Sequence, residues 1–139
     1  MKRLICLALT IVTFAITMSS CSNKVNDPMD LALLYEGKGY YVQMIVDDET
    51  IKEVADDFEI RAAGIYCMVA VIPDNGDNDE ELGVFLYCDS NDVAKNVFED
   101  LNKFADSSED FKEDYDRGIV EKSNTVVFIG CEDPWEELE

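Results

Sequence analysis

The chain contains no histidine, and that absence removes more chemistry than any other feature of its 139 residues. Histidine is the commonest general base, the usual partner of serine and cysteine nucleophiles, and the commonest zinc ligand, so those schemes are excluded. Basic residues are scarce too. Eleven Lys and Arg face 31 Asp and Glu, giving a formal net charge of −20. Nucleic-acid binding needs a basic footprint that releases phosphate counterions, and the chain has none. Repulsion from anionic lipid headgroups also keeps such a chain from lying flat on a membrane. No glycine-rich phosphate loop, CxxC pair, GxSxG elbow or internal repeat occurs. A carboxylate pair could still do acid–base work, but among 31 acids the nearness of two carries no information.

What is present is enough to fold. With 47% hydrophobic residues the chain does not meet the condition for disorder, and its length suits a single domain. The acids then serve first to keep the surface soluble.

The opening segment carries the most specific message. Lys2 and Arg3 precede 15 uncharged residues, Leu4 to Met18. As a helix this run would span roughly 22 Å, short of a hydrocarbon core of about 30 Å. It reads as a secretory leader rather than a membrane span. The small residues Ser19 and Ser20 follow, then Cys21.

Met18-Ser19-Ser20-Cys21 resembles the lipobox of bacterial lipoproteins: an aliphatic residue, two small residues and a cysteine. Met18 stands where leucine is commoner. The resemblance implies that Met18, Ser19 and Ser20 are read by the signal peptidase and that cleavage falls before Cys21. It also implies that the Cys21 sulfur carries a diacylglyceryl thioether. A thiolate suits that alkylation, and two acyl chains anchor stably where one does not. The expected organisation is a leader over 1–20, a lipidated cysteine and tether over 21–27, and one acidic domain over 28–139. The expected location is the extracytoplasmic face of the cell membrane. Without Lys2 and Arg3, the mature chain has 31 acids against 9 bases, a charge near −22.

The tether, Ser22 to Asp27, reaches at most roughly 20 Å. Asp27-Pro28 then reads as a helix cap and first position, with Leu31, Leu33, Leu34 and Tyr35 in a short helix ended by Gly37. Residues 38–46 read as a strand. Ile51, Val54, Ala55 and Phe58 define a second helix face, with Asp48 as its expected cap. Residues 65–72 and 82–88 read as a hairpin. A third helix follows Ser90, with Val93, Ala94, Val97, Phe98, Leu101 and Phe104 on one face. The last strand spans Thr125 to Cys131, and Asp133-Pro134-Trp135-Glu136 suggests a closing turn.

The order β-α-β-β-α-β predicts an α+β fold of ferredoxin-like type, a four-stranded antiparallel sheet with both helices on one face and an additional N-terminal helix. Residues 65–72 and 82–88 are apolar on both faces, which a half-solvated sheet would not be. The expected cover is the N-terminal helix, the Trp135 turn, or a second copy of the chain. This arrangement, with its helix ending near "GYY", is similar to small uncharacterised lipoproteins of anaerobic Gram-positive bacteria, a family that lends no activity.

Three further groups of residues could carry chemistry. Pairing Ile72 with Gly83 would put Cys67 opposite Cys88, so a disulfide, buried free thiols, or a metal or redox site all remain open. Asp74, Asp77, Asp79 and Glu81 form an acidic, glycine-containing loop that could hold calcium weakly. The EF-hand pattern is not met, because Leu82 and Cys88 stand where glycine and glutamate belong. Tyr35, Tyr40, Tyr41 and Trp135 could line a sugar or peptide site or simply edge the core. The expectation is a binding or self-assembling module and not an enzyme, with an unknown protein or a second copy as partner. The alternatives are a divalent-cation-binding protein or a carboxylate-dependent hydrolase.

Overall fold

The computed structural model describes residues 26–72, 83–109 and 119–130. Helix α1 covers Pro28–Gly37, strand β1 Tyr41–Ile45, helix α2 Asp48–Asp57, strand β2 Ile65–Ile72, strand β3 Gly83–Cys88, helix α3 Asn91–Ser107, strand β4 Ile119–Ser123 and strand β5 Val126–Gly130. The strands form one antiparallel sheet in the order β1-β2-β3-β5-β4.

The helix starts follow from capping chemistry. The Asp27 carboxylate accepts from the Met29 and Asp30 amides at 2.8 and 3.2 Å, with Pro28 in the first turn. Ser90 Oγ accepts from the Val93 amide at 3.2 Å. The cap of α2 is Asp47, not Asp48: its backbone is extended and its carboxylate accepts from the Thr50 amide at 2.9 Å. Asp48 instead adds negative charge to the first turn, where the helix dipole favours it.

Two cores flank the sheet. Ile51, Val54 and Ala55 of α2 and Ala94, Val97, Leu101 and Phe104 of α3 pack on one face, over Met68, Ala70, Val84, Leu86, Val127 and Ile129. Both amphipathic helices thus share a face, as expected. On the other face Leu31, Ala32 and Tyr35 of α1 join Val69, Val71, Phe85, Tyr87, Val126 and Phe128. The N-terminal helix therefore supplies part of the cover that the two-sided strands require, at roughly 1.5–3 kcal/mol for each large apolar side chain buried. No helix among the described residues is long and apolar enough to cross a membrane.

Three further expectations are corrected. The sheet has five strands rather than four, because β4 pairs with β5 through a two-residue turn, Asn124-Thr125. Asn124 takes φ 52°, a conformation asparagine tolerates well in tight hairpins. The ferredoxin-like pair of crossovers does not form either. α3 does link parallel strands, β3 and β4, that flank β5. α2, however, links β1 to its antiparallel neighbour β2. The reason is the segment between Phe58 and Gly64. α2 is about 15 Å long at 1.5 Å per residue, and seven extended residues can span about 23 Å. This segment returns along α2, anchored by Ile60 in the core and by its amide on Ala55 O at 2.9 Å, so β2 starts where β1 ended.

The third correction concerns register. Val71, not Ile72, faces Gly83, so Cys67 faces Tyr87 while a bulge brings Cys88 opposite Ile65. A one-residue slip reverses every facing relation, and the expected Cys67–Cys88 juxtaposition is lost. Both thiols are free and buried.

Candidate functional site

The return segment creates a cleft. It opens between the first turn of α2, which supplies Asp48, Ile51 and Lys52, and residues Ala62 to Tyr66, with Asp89 at the end of β3. Its volume is about 430 Å³. Gly64 makes the wall: its φ of 85° suits glycine, and a Cβ there would lie 2.8 Å from the Val93 methyls of α3. The Asp89 amide donates to Gly64 O at 2.8 Å and ties the wall to β3.

Tyr66 occupies the β-bulge between Ile65 and Cys67, and bulges re-aim side chains. Its ring is 46% exposed in a strand otherwise almost wholly buried, and it tilts toward Tyr87 with centroids 6.3 Å apart. Desolvation, then the nearby Cys67, Asp27 and Asp89, push the Tyr66 hydroxyl above its ordinary value, so it stays protonated. The Asp47 carboxyl at the same helix start is held below its usual range, chiefly by hydrogen bonding to Thr50. Two carboxylates, an ammonium group, a phenol and a floor of Ile and Ala side chains can hold a small polar or cationic group by charge and ring contact. Among the described residues no cluster of three or more Cys, Asp and Glu could hold a metal ion.

Few of the sequence-predicted site residues fall here. Met18, Ser19, Ser20 and Cys21 lie outside the described residues, as do Asp74, Asp77, Asp79, Glu81, Cys131 and Trp135. The tyrosines do not form one site. Tyr35 is fully buried and meets Tyr40 edge-on at 5.4 Å in the α1-side core, whereas Tyr41 is exposed on the opposite face. Lys52, Tyr66 and Asp89 escaped sequence reasoning and Asp48 was read only as a helix cap; for Tyr66, nothing in an apolar run marks where a bulge will turn one ring outward.

No family model, curated protein or solved structure matches this chain.

Proposed function

We propose that this chain is a lipid-anchored protein of the extracytoplasmic membrane face, and that its α+β domain is a binding module held close to the bilayer. The observation that carries the reading is the leader: Lys2-Arg3, an uncharged run to Met18, then Ser19-Ser20-Cys21. Two features support it. The Asp27 cap of α1 stands only six positions after Cys21, so the domain lies within a short tether of its anchor. The net charge of −20 disfavours direct adsorption to anionic lipid, which makes covalent anchoring the natural means of attachment.

The cleft lies at the sheet end where α1 also begins. Asn124, in the β4–β5 turn at that end, donates to Asn26 Oδ1 at 3.5 Å, just ahead of α1. On this reading the Tyr66 cleft lies at the end of the sheet nearer the tether. Cys21→Ala tests the anchor: wild-type protein partitions to the membrane fraction and takes up labelled fatty acid, and the variant does neither. Equal labelling of the variant would refute the reading.

A further inference from the structure

α1 is too small to cover its face of the sheet alone. It packs on β1 and β2 and reaches β3 through Tyr35 and Phe85. It begins beside the β4–β5 turn, where Asn26 meets Asn124, and leads through Tyr40 into the start of β1 at the other end of the strands. The helix thus crosses the face diagonally. With its side chains it is about 10–12 Å across, and strands lie about 4.8 Å apart, so it roofs about two of them. The corner it leaves is the far end of β5, where Phe128 belongs to this face and Gly130 stands opposite Gly83. Phe128 is nevertheless fully buried, as are Val71 and Phe85 near it. Among the described residues α2 and α3 both pack on the opposite face, so neither supplies the cover.

The rest of the chain narrows the choice. Residues 1–25 join α1 at the opposite end of the sheet, beside Asn124. Residues 110–118 leave α3, on the opposite face. Residues 73–82 hold five acids and one large apolar side chain, Leu82. Residues 131–139 continue directly from Gly130 at the open corner and carry the chain's single tryptophan, Trp135, with Leu138 three positions on. Three apart, those two share one side of a helical turn, which leaves Glu136, Glu137 and Glu139 for water.

We propose that residues 131–139 fold back from Gly130 as a strap that closes the second core, with Trp135 seated over Phe128. Five residues from Gly130 to Trp135 reach up to about 17 Å, and Phe128 lies only roughly 7 Å back along β5. An indole buries more apolar area than any other side chain, which suits a corner that α1 does not reach. The inference does not depend on the anchor at Cys21.

The test uses the full 139-residue chain in mild detergent, and its single tryptophan reports directly. Trp135 emission should lie to the blue of the denatured chain and move red in one step as the domain unfolds. Emission already at the denatured position in the folded protein overturns the proposal. The contact itself is located by a double-mutant cycle on the denaturation midpoint, followed by circular dichroism. Phe128→Leu and Trp135→Leu should each lower the midpoint, and the two together by clearly less than the sum. Additive losses overturn the proposal, because Trp135 would then pack elsewhere. Val71→Ala takes the place of Phe128→Leu in the cycle should that variant fail to fold. A midpoint that rises with protein concentration also overturns it, since a second copy would then be the cover.

Discussion

Cys67 and Cys88 lie on neighbouring strands yet enter opposite cores, Cys67 on the α1 side and Cys88 beneath α2 and α3. Each thiol is 2% exposed and lies near a backbone oxygen of its own strand, Met68 O at 3.7 Å and Leu86 O at 3.9 Å. The sheet itself separates them, so no bridge can form without unfolding a strand.

Burial pushes both thiols from an ordinary value of 9 up to about 11. The consequence is an alkaline limit on stability. Below the unfolded-state value both states hold the proton and stability is flat. Between about pH 9 and 11 the unfolded chain loses protons that the folded chain keeps, so stability falls as pH rises. The melting temperature should be level from pH 6 to 8 and decline above about 9, with a shallower decline in Cys67→Ala. In parallel, iodoacetamide at pH 8 should leave the Cys67 and Cys88 peptides unmodified until denaturant is added. Rapid native labelling of either would contradict the burial.

Gly83 is fixed by an aromatic ring rather than by a turn. A Cβ there would sit 2.5 Å from Phe128 ring carbons and from Ile129 O. Backbone cannot yield as a side-chain tip can, so Gly83→Ala should cost about 2–3 kcal/mol in chemical denaturation. Gly37 is the matched control, with open space around it at the end of α1. Gly37→Ala should be neutral or stabilising by up to about 1 kcal/mol. Equal effects at the two sites would show that ring contact is not what selects glycine at 83.

Tyr35 is the residue through which α1 closes the second face. It is fully buried between Tyr40, at 5.4 Å, and Phe85, at 5.8 Å between ring centroids. Tyr35→Ala should destabilise by about 3–5 kcal/mol and raise binding of a hydrophobic dye, as α1 loosens over Val69, Val71 and Phe85. An unchanged midpoint with no added dye binding would mean that α1 is dispensable cover.

The sequence made some of this legible and hid the rest for identifiable reasons. α3 was visible because Ala94, Val97, Leu101 and Phe104 repeat at the helical period, and β2 and β3 because unbroken apolar runs bounded by turns suit buried strands. The need for some cover over the second face was visible in Phe85 and Tyr87, whose face alternates with that of Val84 and Leu86, but not which segment would supply it. β4 was missed because Glu121, Lys122 and Ser123 break its apolar pattern at a sheet edge, where only one side must be paired. The topology was misjudged because an amphipathic helix looks the same whether the next strand crosses over or turns back. That choice rests on Phe58 to Gly64, whose return path no local propensity encodes. The cleft depends on the same segment and on a bulge, so it too was illegible. The metal candidates Asp74, Asp77, Asp79 and Glu81 lie outside the described residues and stand as read from the sequence.

The central claim, that Cys21 is the point of membrane attachment, is tested most directly by intact mass spectrometry of the protein extracted from membranes. The account predicts a chain that has lost residues 1–20 and carries a diacylglyceryl group on an N-terminal Cys21. A mature chain beginning at any other residue, or an unmodified Cys21 in membrane-bound protein, would contradict it.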